Sequence, residues 1–313
     1  VTPEEALAAA RERLERPDPL GALRLLDQAI AAGTEPVLAE AHRLAGWLRT
    51  GLGQPLVALR HWDALAALRP EAPDPRLQRA RAFHELRWHD RALAAFAAMP
   101  QPLPGWWEAE RREARRRRAT ARQGALRALA ARRTADGLRL PPTLVLRLLR
   151  AGRVRAAAGL LKRALASRPR DAGLRLAEAI LALHRGAAPA GLAVPEMPAH
   201  VTTPLRLEAA ELALNLDRPA RALALLKGAE GSAEVRLARL RARVLSGAKV
   251  APPDAAVDTP EPWMTRVRCT QAMLSGALCA GWTGVPGAAA APVPLIHFWH
   301  AAPPPDVAAV MES

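Results

Sequence analysis

A small residue, a large one four places on and a closing proline recur along this chain, and that period restricts its fold more than any other feature. Ala58 is followed by Trp62 and then by Pro70. Thirty-four residues after Ala58 stands Ala92, followed by Phe96 and closed by Met99 and Pro100. A further copy reads Gly152, Ala157, Leu161 and Pro169, with the same seventeen-residue step from Gly to Pro as between Gly53 and Pro70. The same step recurs as Ala22/Leu26 and Ala222/Leu226. Small residues let two antiparallel helices approach, the large residue fills the groove on the same face, and proline stops the second helix. Gly46 and Gly53 fall where such a pair would cross and turn. A repeat of this length means a stack of helical units, each covering the apolar face of the next.

The rest of the sequence agrees with helices. Ala, Leu and Arg carry most of it, aromatics are 4% and Tyr is absent, which leaves few strand formers. Between the Pro and Gly punctuation the pattern predicts helices over 3–16, 19–32, 36–51, 55–68, 75–87, 89–98 and 105–135. After Pro141 and Pro142 it predicts 143–151, 153–167, 171–185, 204–216, 218–228 and 233–246. Pro189, Pro195, Pro198 and Pro204 make 186–204 a long connection.

These copies resemble the tetratricopeptide repeat family, most closely at 39–70 and 87–96, more loosely at 144–169 and 207–229, where Leu replaces the aromatic. The resemblance implies an all-α fold, a right-handed superhelix of stacked antiparallel helix pairs. It also implies a protein partner held in the concave groove.

Net charge is +15, and 42 of the 45 basic residues are Arg. A basic surface suits nucleic acid or acidic membrane. An Arg excess with almost no Lys is also what GC-rich coding writes at neutral surface positions, and that reading takes precedence, so charge points only weakly to a partner. The excess concentrates at 111–133, where ten arginines face only Glu113. Arg111, Arg112, Arg115, Arg116, Arg117 and Arg118 are candidates for an anion-binding stripe directed at RNA, acidic lipid or an acidic partner. The competing reading is a solvated helix, with Glu108/Arg112 and Glu113/Arg117 spaced for pairing. No aromatic interleaves these arginines, which disfavours single-stranded nucleic acid; the alternative to a protein scaffold is anion binding, of RNA or by peripheral contact with acidic lipid, through 111–133.

No phosphate loop, zinc-protease helix, nucleophile elbow or Asp-x-Asp pair occurs in 1–250, so no catalytic residue, metal ligand or cofactor is expected there. His84 and His89, five apart around Trp88, lack the spacing of a metal pair on one helix, and packing is expected to account for them. Trp47, Trp62 and Trp88 fall on core positions, and one of Trp106 and Trp107 is a candidate exposed contact. Cys269 and Cys279 form neither a disulfide framework nor a zinc site. No stretch is apolar enough to span a membrane and the N-terminus lacks signal-peptide character, so a cytoplasmic location is expected.

Beyond Gly247 the texture changes. Residues 247–291 read as a Pro/Gly/Ala-rich linker with one helix at about 262–280. A strand then follows at 292–300, a proline turn at 303–305 and a helix capped by Asp306. This segment resembles the opening of the Asp-x-Asp glycosyltransferases that include capsular-polysaccharide and mannosyl transferases. Pro294, Ile296, His297 and Trp299 stand in the places of that family's first strand, with His297 and Trp299 one residue closer than usual. The resemblance implies a nucleotide-sugar domain whose metal-binding carboxylates lie further downstream, so a divalent metal and nucleotide-sugar belong to that domain alone. Three segments are therefore expected: a helical-repeat domain over 1–246, the linker, and at 292–313 the truncated start of an α/β domain. The expected role is a protein-interaction scaffold, accessory to a polysaccharide-synthesis enzyme.

Overall fold

The computed structural model describes residues 1–15, 18–99, 103, 105–133, 141–229 and 232–247. Residues 248–313 lie outside the described set. With them fall the expected helix at 262–280 and the glycosyltransferase-like positions Pro294, Ile296, His297 and Trp299.

Among the described residues the chain is helical throughout, with no strand. The helices are α1 (Pro3–Glu15), α2 (Pro19–Ala32), α3 (Glu35–Gly51), α4 (Pro55–Leu68), α5 (Pro73–Glu85), α6 (His89–Ala97) and α7 (Gly105–Arg133). They continue as α8 (Pro142–Arg150), α9 (Val154–Ser167), α10 (Ala172–His184), α11 (Thr203–Asn215), α12 (Pro219–Leu226) and α13 (Ala233–Leu245). Each end lies within two residues of its expected place. The connection at 186–202 is irregular, with a short 3-10 turn at Pro189–Gly191 and a second turn that Val201 N–H closes on Pro198 O at 3.0 Å.

Local chemistry sets these ends. At α1, Thr2 and Glu5 form a reciprocal capping box, each side chain accepting from the other's backbone N–H at 3.2 and 2.8 Å. Asp18 caps α2 through the Gly21 N–H (2.8 Å), and Asp171 caps α10 through the Leu174 N–H (3.0 Å). Prolines stand in the first turn of α2, α3, α8, α11 and α12, where a missing N–H costs nothing.

Four turns share one design. Residues 52–54, 86–88, 151–153 and 216–218 each join two helices, and the middle residue is left-handed: Gly53 (φ 70°), Arg87 (63°), Gly152 (71°) and Asp217 (57°). The left-handed residue reverses the chain and lets following N–H groups reach the last carbonyls of the preceding helix, as Trp88 N–H reaches Phe83 O at 2.9 Å.

The described residues form two compact units. One comprises Val1–Gly53, Ala58–Ala72 and the described residues from Arg243 on. Its helices α1, α2 and α3 pack mutually around Leu23, Leu26, Leu44 and Leu48. A second cluster joins Ala39 and Trp47 of α3 to Ala58, Trp62 and Leu65 of α4. The other unit comprises Gln54–Val57 and Pro73–Ala242. There α5 meets α6 and α7, and α8 meets α9 and α10. Contact with the next helix and the next but one is the pattern of stacked helix pairs, an all-α solenoid in which burial is local.

Candidate functional site

The repeat positions are packing positions. Ala58, Trp62, Ala92, Phe96, Ala157, Leu161, Ala222 and Leu226 are all buried. Gly46 faces the Trp62 ring so closely that a Cβ would stand 2.8 Å from Cε2 and Cζ2, which is nearer than real Cβ atoms come. Gly53 and Gly152 are the left-handed turn residues described above. Pro70 and Pro169 lie just beyond α4 and α9. Trp47, Trp88 and Trp107 are buried too, while the side chain of Trp106 lies outside the described set.

The arginine stripe lies on α7, about 43 Å long at 1.5 Å per residue. Trp107, Ala114 and Ala125, seven and eleven residues apart, point inward and set the helix's orientation. Arginines flanking that face are held by carboxylates: Arg111 on Glu108 (2.6 Å), Arg117 on Glu113 (2.5 Å), and Arg118 and Arg122 on Asp90 of α6. The expected Glu108–Arg112 pair is replaced by Glu108–Arg111, which leaves Arg112 on the solvent side. Arg115, Arg116 and Arg127 are exposed as well. Arg116 also reaches Glu113 at 2.7 Å; its hydrogen bond, with that of Arg117 and against some burial, holds the Glu113 carboxyl down at about 2. Glu113 is therefore ionised at any working pH.

The structure brings together histidines that spacing on one helix kept apart. His84 near the end of α5 and His89 at the start of α6 are both buried, with Nδ1 atoms 3.3 Å apart. The left-handed Arg87 folds the chain back between them. His42 of α3 and His61 of α4 form a similar pair at 3.1 Å. In each pair one Nδ1 donates and the other accepts, which requires at least one neutral ring. Burial pushes His61 down to about 3, with repulsion from His42, Arg49 and Arg60 adding to it. Burial also pushes His89 down to about 4, aided by His84, Arg117 and Arg87. No group of three or more metal-binding side chains occurs among the described residues.

Several arginines serve the backbone, a role that composition gave no sign of. Arg206 is buried and donates to the carbonyls of Lys227 (2.7 Å), Pro198 (3.0 Å) and Val201 (3.2 Å), with longer approaches to Leu225 and Met197. Arg218 donates to Leu192 O (2.6 Å) and Arg221 to Val194 O (3.2 Å). The segment 192–201 is thus held through its main chain by guanidinium groups of α11, α12 and their turn. Arg91 of α6 donates to His184 O and lies 5.2 Å from the Trp88 ring centre. His184 stacks obliquely on Trp88, and burial with Arg91 pushes it down to about 4.

These features define an all-α protein of stacked helix pairs whose interior histidines and arginines are structural. No family model matches the chain, and no curated protein matches it by sequence. Among solved structures it is similar to a tetratricopeptide repeat protein from Parabacteroides merdae, at 15% identity and a TM-score of 0.29, over 86% of this chain and 98% of that one. It is also similar to an assembly chaperone of RpL4, at 19% identity and a TM-score of 0.24, over 79% of this chain and 97% of that one. The fold assignment rests on the helix packing itself. No described helix is long and apolar enough to cross a membrane.

Proposed function

We propose that the chain is a helical-repeat scaffold that binds another protein, and that it serves a polysaccharide-synthesis glycosyltransferase as an accessory region. The observation that carries the scaffold reading is the stack of helix pairs over the described residues: local burial leaves long helix faces such as that of α7 open to a partner. A concave protein-binding groove and a tetratricopeptide-type repeat belong to this proposal. The glycosyltransferase link rests on the resemblance at Pro294, Ile296, His297 and Trp299 alone, and so does a metal and nucleotide-sugar requirement downstream.

Photo-crosslinking of the full chain in its own cells tests the scaffold. A stoichiometric protein partner crosslinked to exposed helix faces is expected, and recovery of this chain alone overturns the reading. The enzyme link is tested by the DNA following the Ser313 codon. An Asp-x-Asp pair within an αβ pattern is expected within a domain's length, and its absence there ends that part of the proposal.

A further inference from the structure

The solvent face of α7 is more specific than its arginine count suggests. Its exposed positions include Arg112, Arg115, Arg116, Arg127 and Leu126, and none of its exposed positions is Asp or Glu. Glu108, Glu110 and Glu113 all lie part-buried outside this exposed set. Glu108 and Glu113 engage arginines of the same helix, at Arg111 and at Arg116 and Arg117. At 100° per residue Arg112, Arg115, Arg116, Leu126 and Arg127 span an arc of about 120°, running from the flank to the far side of the face that carries Trp107, Ala114 and Ala125. Leu126 is 57% exposed, the only large apolar side chain so exposed among the described side chains of the helices.

From this juxtaposition we infer that α7 docks an acidic polypeptide segment: carboxylates opposite Arg112 and Arg115, and an apolar side chain on Leu126 beside Arg127. This rests on the scaffold reading and names its partner's chemistry. Charge complementarity selects the sign, because among the described residues the exposed face offers Arg112, Arg115 and Arg127 with no exposed carboxylate, while Arg116 already holds Glu113 at its edge. The same helix already shows its arginines gripping carboxylates at Glu108, Glu113 and Asp90. An RNA strand would want aromatic rings between the cations, and the sequence from Arg112 to Arg127 has none. An acidic bilayer would want a broad apolar face, where α7 offers one leucine.

The test uses the full chain and a labelled peptide of about sixteen residues, long enough to run beside Arg112 to Arg127 at about 1.5 Å per helical residue. The peptide carries Glu at one end and Leu near the other; its Gln counterpart, a single-stranded RNA of similar length and phosphatidylglycerol vesicles are the competitors. The Glu peptide is expected to bind best and to weaken about tenfold between low and high salt. Joint replacement R112Q/R115Q/R116Q/R127Q should weaken it at least about tenfold, and Leu126→Ala by about fivefold. All five side chains are solvent-facing, so Leu126→Ala melts unchanged, and the four-arginine variant, which loses only the exposed Arg116–Glu113 pair, melts close to the parent. The inference is overturned if the Gln peptide binds equally, if RNA or vesicles bind more tightly, or if the four-arginine variant binds unchanged. Failure of the scaffold reading looks different: in-cell crosslinking then finds no partner at all. A partner that is recovered equally well by the four-arginine variant removes only the α7 assignment.

Discussion

The α3–α4 and α8–α9 pairs turn on the same hinge and fill their interiors differently. Gly53 and Gly152 sit at φ 70° and 71°, and the same seventeen-residue step leads from each to its proline. A shift of 99 positions also superposes Ala58 on Ala157 and Trp62 on Leu161. The same shift puts Val145 where α3 has Gly46. One pair combines Gly with Trp, the other Val with Leu, and all four are buried. The turn fixes where two helices meet; Gly46 leaves the room that the Trp62 ring fills, and the positions 99 residues on carry a more even pair of side chains.

The sharpest way to break this comparison is to empty each interior. Trp62→Ala should cost about 4 kcal/mol and Leu161→Ala about 3, since the indole removes more packed surface. Equal losses in urea melts would mean that the two interiors are not equivalent positions. A double-mutant cycle is finer. Gly46→Val and Trp62→Leu should each destabilise by about 2–3 kcal/mol, while the double variant recovers on the order of 1–2 kcal/mol of their sum, because it rebuilds the α8–α9 arrangement. Strict additivity would refute the account of Gly46 as room for the Trp62 ring.

Acid separates the pairs further, because only α3–α4 carries an interhelical histidine pair of its own. His61 titrates at about 3 when folded and near 6.5 when unfolded, so the unfolded chain holds more protons between those values. Stability is therefore full above pH 6.5 and falls as pH drops toward 3. The loss is on the order of 2 kcal/mol once partial solvent exposure is allowed for. His61→Phe should flatten the melting temperature between pH 6.5 and 4 in the α3–α4 region; an unchanged slope would place the effect on His89 and His184.

The smallest effects concern the hinges. Gly53→Ala should cost about 1 kcal/mol for its left-handed backbone. Gly152→Ala should cost more, because the Asp90 carboxylate occupies the space its Cβ would need. Arg87→Gly should change stability in the opposite sense, gaining up to about 1 kcal/mol while giving up a 3.6 Å surface pair with Glu208.

These hinges also show what a sequence can and cannot display. Two carry glycine and announced themselves by spacing; the other two carry Arg87 and Asp217, whose side chains give no such signal. The helices were legible because proline, glycine and the apolar period act within a few residues. The histidine pairs were not, because His42 and His61 meet across nineteen residues of chain. The role of Arg206 was hidden for a different reason: its partners are carbonyl oxygens, which every residue possesses. On α7 the arginines were visible as a run, but which face stayed exposed required knowing where Trp107, Ala114 and Ala125 pointed.

That indifference of carbonyl oxygens has an evolutionary side. A guanidinium that grips main-chain oxygen reads only the path of the chain, so the segment at 192–201 is free to exchange many of its side chains while its course stays fixed. The constraint falls on the gripping residue instead. A lysine at position 206 would bring three donors on a single nitrogen, where the planar fork of Arg206 spreads five across carbonyls from two separate stretches of backbone. Randomising the exposed positions of the connection should yield mostly folded proteins, whereas Arg206→Lys should not be rescued by any of them.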